Sequence, residues 1–326
     1  MKTGSFYANG NQMKKVAVLP AEGIGDSLLM LIASYNLQEA GYFVTTFQPM
    51  LNELRDWLKT KEFSPLPNTN ELECFLAGQD IIILQNDNSV RSKHLIELKR
   101  QGKLKQLSVF YPTYQATKHG PLDDNDYVFD DRLCMVENIA IATAKLLLLA
   151  GVSRNNGLSP LIHLQHRKYP MRVILHPTSS QACKNWSAHK FLDLAHKIQK
   201  DGFEVIFAVS AKEYNEWSQL VNGRWSLPLL PSLSDLATLI YESGYIIGND
   251  SLVGHLASNL QIPSLILAND AKRMRLWRPG WLKGEVLTPH SFFSYFMTKK
   301  HKALEWSRNI SVGTVYKRLK KIQSQI

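Results

Sequence analysis

Short, wholly apolar runs alternate with helical patterns along most of the chain, and this alternation starts over once. VAVLP (16–20), YFVTTFQP (42–49), DIIILQ (80–85) and LSVFYP (107–112) form the first set. MRVILHP (171–177), FEVIFAVS (203–210), YIIGND (245–250) and IPSLILAN (262–269) form the second. A strand that is apolar on both faces must be covered on both faces, and the intervening helices supply that cover in a parallel sheet. Between the sets lies GVSRNNGLSP (151–160), rich in turn residues and poor in apolar ones, which reads as a linker. The pattern therefore predicts an α/β chain of two Rossmann-like domains facing each other across a cleft. They span 1–155 and 156–300, followed by a basic C-terminal helix or tail (301–326) that packs back on the N-terminal domain. In open α/β sheets, ligands bind at the carboxyl ends of the strands, so the strand-to-helix turns are where function is sought.

The helices between these strands are read from periodicity and caps. They cover 27–40, stopped by Gly41, then ELRDWLKT, KHLIELKRQ and 132–150 in the first half. In the second half they cover 188–202, AKEYNEWSQLV, 232–243 and SLVGHLASNL, with IPSLILAN as the last buried strand. The apolar stretch 139–152 is broken by Lys145 and too short to span a bilayer, so it is expected to be a buried helix.

Composition narrows the partners. Of 326 residues, 44% are hydrophobic and 20% charged, a globular balance that leaves no reason to expect disorder. Cys74, Cys134 and Cys183 are far apart and form no CxxC pair, which argues against a disulfide framework or zinc site and suits a reducing cytosol. The first residues contain no apolar segment of the kind that directs secretion, so a cytoplasmic location is expected. The net charge of +10 calls for an anionic partner: nucleic acid, an anionic membrane surface or a phosphorylated substrate. Basic residues gather at Lys272, Arg273, Arg275, Arg278 and Lys283, and again in the tail at Lys299, Lys300, Lys302, Arg308, Lys317, Arg318, Lys320 and Lys321. Aromatic and basic residues are not interleaved as in base-stacking surfaces, so nucleic acid is disfavoured.

Three turns of the second half carry groups suited to a nucleotide diphosphate. HPTSSQACKNW places Thr178, Ser179, Ser180 and Lys184 after a strand, where hydroxyls and backbone donors can hold phosphate oxygens and the ammonium can neutralise them. GNDSLVGHLA sets Asp250 and Ser251 at a helix start with His255 one turn in, a place where free N–H groups and the helix dipole favour an anion. Glu213 in VSAKE is positioned to accept from ribose hydroxyls. Each feature alone also fits an ordinary capped helix; together they favour the ligand. Neither GxGxxG nor a Walker A motif is present, which disfavours dinucleotides and triphosphates. DDND (123–126) contains a DxD but follows a turn and reads as a solvated loop, and HExxH and GxSxG are missing. In the first half the turn AEGIGDS puts Asp26 where a phosphate loop would avoid an acid.

Together these stretches resemble the ADP-heptose:lipopolysaccharide heptosyltransferases and their relatives, glycosyltransferase family 9, inverting enzymes of the GT-B fold. The resemblance spans roughly 16–281. It rests on Gly25-Asp26 at the first helix start, DIIILQNDNSVRS (80–92), HPTSSQACKNW, SAKE, NDSLVGHLA with IPSLIL, and RLWRPGW (275–281). It implies that Asp26 is the base that deprotonates an acceptor hydroxyl, with Gly25 beside it on the acceptor side. It also implies that Ser179, Ser180 and Lys184 hold the diphosphate and that Glu213 contacts the ribose. Asp250, Ser251, Leu252 and His255 would surround the sugar and phosphates, and Arg91 would meet an anionic acceptor. The implied reaction moves a sugar, heptose from ADP-heptose, to a lipopolysaccharide or lipid A core at the inner-membrane face of a Gram-negative bacterium, with no metal or other cofactor.

The chain departs from the family pattern twice. Leu252 stands where the family has Gly at the donor helix start, and QNDN replaces D-L-Q-G in the first half. Two other readings stay open at this point. One is a GT-B nucleotide-sugar epimerase, which needs no separate acceptor; the other is a non-catalytic module binding a glycolipid or another anion.

Overall fold

A computed structural model describes residues 13–59, 62–289 and 306–325. Two five-stranded parallel sheets form, one from each half. In the first, β1 (Lys15–Leu19), β2 (Phe43–Thr46), β3 (Ile81–Gln85), β4 (Leu107–Tyr111) and β5 (Tyr127–Val128) lie in the order β2-β1-β3-β4-β5. In the second, β6 (Tyr169–His176), β7 (Glu204–Phe207), β8 (Ser243–Asn249), β9 (Ser264–Leu267) and β10 (Glu285–Leu287) repeat that order as β10-β9-β8-β6-β7. The two Rossmann-like units expected from the alternating pattern are thus present. In each sheet the order reverses between the first and third strands, and this is the crevice where doubly wound sheets bind ligands.

Register decides which side chains reach these crevices. Leu19 pairs with Leu84, so Gln85 emerges one step beyond the end of β1. His176 pairs with Gly248, so Pro177, just past β6, lies opposite Asn249, the last residue of β8. Asn249 fixes them there: its Nδ2 donates to the Pro177 carbonyl at 2.7 Å and its Oδ1 accepts from the Trp186 amide at 2.9 Å.

Helices α1 (Ile24–Glu39), α2 (Thr69–Ala77), α3 (Val90–Arg100), α4 (Ala116–His119) and α5 (Met135–Leu146) cover the first sheet. Helices α6 (Ala188–Lys200), α7 (Tyr214–Val221), α8 (Leu233–Tyr241), α9 (Leu252–Asn259) and α10 (Ala271–Trp277) cover the second. The halves share an apolar cluster at the helix starts. Leu28 and Leu31 of α1 and Leu51, Leu54 and Trp57 from the first half pack with Ala237 and Ile240 of α8 and with Val253, Leu256 and Ala257 of α9. Trp57 also donates to Ser234 Oγ at 2.9 Å across this seam.

Several expectations are corrected. ELRDWLKT forms no α-helix: a 3-10 turn at Pro49–Leu54 leads into turns, because Trp57 and Leu58 are drawn into the seam. Helix α5 stops at Leu146, leaving Leu148 and Leu149 exposed rather than buried. Helix α2 and strands β5 and β10 were not expected, the strands being too short to give a pattern. Asp126 of DDND is not solvated: it is buried with Lys99 at 2.6 Å and accepts from the Val109 amide.

The tail is also corrected. Helix α11 (Val312–Gln323) packs on α6 and β10 of the second half, not on the N-terminal domain. Val315, Leu319 and Ile322 fall on one helical stripe and join the core around Phe191, Ile198 and Trp306. Its charges are engaged locally: Lys320 with Asp201, and Arg318 and Lys321 with Glu285. Lys299, Lys300 and Lys302 lie outside the described residues.

The linker is integral to the seam. Asn156, with no exposed surface, donates to the Leu28 carbonyl and accepts from the Leu158 amide and Asn259 Nδ2. Asn156→Ala should therefore lower unfolding stability by about 2–3 kcal/mol through orphaned partners. Urea titration followed by tryptophan fluorescence measures this.

Candidate active site

The first half contributes the start of α1. Gly23 is its N-cap and Asp26 sits in its first turn, where the helix dipole favours a carboxylate. Asp26 Oδ1 accepts from Gln85 Nε2 at 2.9 Å, while Gln85 Oε1 accepts from the Ala21 amide at 3.2 Å. The second bond fixes the orientation of the amide, so the nitrogen must face Asp26. The carboxylate lies back over the N-cap: a Cβ at Gly23 would come within 2.6 Å of Asp26 Oδ2, so glycine is needed for this approach. Burial pushes the Asp26 carboxyl up to about 6, against the lowering influence of the Gln85 bond and the nearby charges of Arg273 and Lys184. That value suits a general base working near neutrality.

Across the seam stands the start of α9. A Cβ on Gly25 would lie 3.4 Å from Leu252 Cα and 3.7 Å from His255 Cδ2, so the two helix starts nearly touch. Asp250 Oδ2 sits 3.5 Å from Lys184 Nζ and 3.4 Å from Arg273 Nε. His255 is buried, and burial pushes its imidazole down to about 4, so the ring is neutral at pH 7. Its Nδ1 and the Ser251 hydroxyl are buried without partners. Leu252 turns its side chain into the apolar seam cluster.

The remaining predicted residues lie around this centre. Ser179 Oγ lies 2.7 Å from Asn185 Oδ1 and 2.9 Å from the Gln181 carbonyl, so it braces its own loop, and Ser180 beside it is exposed. Glu213 Oε2 accepts from Thr178 Oγ1, the Ser210 amide and Ser210 Oγ, tying the turns after β6 and β7 together. Arg91 donates to the Pro20 carbonyl at 2.8 Å and approaches Asp87 at 3.9 Å, holding the turn that leads to Asp26. Gln85 and Asn249 are not singled out from sequence, and Arg273 is counted there only as one of a basic cluster. A polar residue closing an apolar strand, as in IIILQ and YIIGN, was the available signal for the first two. Among the described residues no group of three or more His, Cys, Asp or Glu is arranged to hold a metal ion.

Two facing parallel sheets with the same strand order, meeting at a carboxylate on one side and a cation-lined helix start on the other, form a GT-B fold. Residues 153–279, in the second half, match the family model of glycosyltransferase family 9 (heptosyltransferase). A family 9 glycosyltransferase from Veillonella parvula is similar in structure, with TM-score 0.68 and 16% identity over 98% of this chain and 100% of that one. The E. coli ADP-heptose heptosyltransferase II superposes with TM-score 0.67 and 16% identity, over 95% of this chain and 99% of that one. The E. coli heptosyltransferase WaaC, solved with ADP-2-deoxy-2-fluoro heptose, gives TM-score 0.66 and 12% identity over 94% and 99%. No curated protein sequence matches the chain.

The raised Asp26 carboxyl has a consequence for stability. The folded state holds this proton more tightly than the unfolded chain, so the stabilisation is complete below pH 3.8 and is lost as pH rises through about 6. Asp26→Asn, which keeps the acceptor for Gln85, should therefore raise stability by about 1–2 kcal/mol at pH 8 and hardly at all at pH 4. Thermal melts across that range check it.

Proposed function

We propose that this chain is an inverting glycosyltransferase that moves a sugar, heptose, from a nucleotide diphosphate donor, ADP-heptose, to a hydroxyl of a lipopolysaccharide-core acceptor. One observation carries this reading: Asp26, a carboxyl poised near neutrality, lies across a narrow gap from a helix start flanked by two cations. The ADP-sugar analogue bound by the structurally similar WaaC supports the choice of donor.

In this reading the diphosphate sits at the α9 start, against Ser179, Ser180 and Lys184, with Glu213 at the ribose. Lys184 and Arg273 are held close by Asp250 and can shift onto the leaving diphosphate, stabilising the charge that develops there. The partnerless Ser251 hydroxyl and neutral His255 supply further polar contacts beside the sugar and phosphates. Asp26 takes the proton of the acceptor hydroxyl as its oxygen attacks the anomeric carbon from the opposite side, which inverts that centre. Gln85 keeps the carboxylate aimed and partly offsets its burial. Arg91, tied to the Pro20 carbonyl, holds the acceptor side in shape. The donor turnover expected of an epimerase would need no acceptor, so the two chemistries separate in an assay without one.

We place the reaction at the cytoplasmic face of the inner membrane, with the protein as a peripheral visitor. No helix among the described residues is long and apolar enough to cross a membrane. Lys272 and Arg275 of α10, both exposed, are charges available to an anionic surface.

Asp26→Asn should reduce transfer by at least about a hundredfold while leaving ADP affinity unchanged by calorimetry. In the wild type, kcat/KM should fall on the acid side with a midpoint near pH 6, because the base must be ionised. Gln85→Leu removes the bond that lowers this value, so its acid limb should move to higher pH. Positive charge at the diphosphate comes from Lys184 and Arg273 in this scheme, so turnover should survive EDTA and fall sharply in Lys184→Ala.

A further inference from the structure

The QNDN departure gives the first half a feature of its own. Beyond Gln85, at the carboxyl ends of β3 and β4, lies a pocket of about 80 Å³, with room for a tetrahedral oxyanion. Lys93, Arg100 and Lys118 bring three cations to its wall, and no carboxylate lines it among the described residues. Asn86 also lines it. It is only 4% exposed; its Oδ1 accepts from the Asn88 amide, and its Nδ2 donor is buried with no partner. An orphaned buried donor costs on the order of 1–3 kcal/mol, so it marks a place where an acceptor atom is missing.

The neighbouring groups keep the pocket donor-rich. His119 Nδ1 accepts from the Gln115 amide, so its Nε2 carries the proton and donates to Asn88 Oδ1 at 2.8 Å. Burial and the adjacent Lys118 and Arg100 push this histidine down, so it stays neutral and does not add to the charge. Arg100, which lines the pocket, donates to the His119 carbonyl and meets Glu97 at 3.6 Å.

We infer that this pocket binds a compact oxyanion of the acceptor, a phosphate monoester or a carboxylate, on the α3 face of the first sheet and apart from Asp26. The role rests on the transferase reading; the binding itself does not. Asn86 follows Gln85 at the end of β3, so its side chain leaves on the α3 face of the sheet while that of Gln85 turns to Asp26, and an anion held here would anchor the acceptor at the carboxyl edge of the same sheet. In place of Arg91, whose guanidinium is tied to the Pro20 carbonyl and Asp87, the anion-holding groups become Asn86, Lys93, Arg100 and Lys118.

The test uses the full chain saturated with ADP, titrated with inorganic phosphate and separately with acetate, and read by calorimetry and thermal shift. Wild type should bind one of these probes, phosphate indicating a phosphorylated acceptor and acetate a carboxylated one. Asn86→Asp keeps the acceptor for the Asn88 amide but replaces the orphan donor with an oxygen, and should abolish that binding. Lys118→Ala should weaken it five- to tenfold. Both variants should melt within a few degrees of wild type and bind ADP as before. If wild type binds neither probe, or if Asn86→Asp binds as tightly as wild type, the pocket is not an anion site. Should ADP itself not bind, the donor reading fails, and phosphate titration of Lys184→Ala, with the donor-side ammonium removed, still reports this pocket.

Discussion

Everything at the centre of this molecule depends on one apolar seam. Leu28 and Leu31 of α1 lock against Val253, Leu256 and Ala257 of α9, and Trp57 closes the edge. Each helix begins at the carboxyl end of its own sheet's first or third strand, so packing them side by side brings the two crevices together. Apolar burial is not directional, yet here it sets polar geometry: the seam fixes the distance between Asp26 and the Asp250 helix start. Gly25 is the thin point that lets the helix starts approach.

The electrostatics on the two sides of the seam are complementary in kind. On one side a carboxyl is raised by burial and tempered by Gln85. On the other, an acid, two cations and a neutral histidine share a small volume. An anion placed near Asp26 would raise that carboxyl further, whereas the same anion beside Lys184 and Arg273 meets opposite charge. The division of labour between the halves follows from which helix start owns the cations.

Much of this organisation was legible in the residues. Wholly apolar runs such as VAVL and YIIG can only be central strands of a covered parallel sheet, and the restart after 151–160 implied a second sheet. Asp26 stood out because a glycine turn before a helix usually serves an anion. What escaped was set by tertiary context. ELRDWLKT has a helical pattern, but the seam takes Trp57 and Leu58 out of helical register. The tail was assigned to the wrong half because the stripe of Val315, Leu319 and Ile322 shows that α11 must be covered, not what covers it. Gln85 and Arg273 act through neighbours that are distant in sequence, Asp26 and Asp250, and pairwise proximity of that kind has no local signature. DDND looked solvated because the partner of its Asp126, Lys99, lies far back in sequence on α3.

Asp250 gives the donor side a particular character. It already holds Lys184 and Arg273, both within 3.5 Å of one oxygen. A diphosphate arriving there would not find bare cations; it would displace a resident carboxylate from them. Binding then becomes an exchange of one anion for another, and the net gain is the difference between two sets of ion pairs. Such a site keeps its lysine and arginine ordered when empty, and it gives up a spent anion readily because the carboxylate is waiting to take its place.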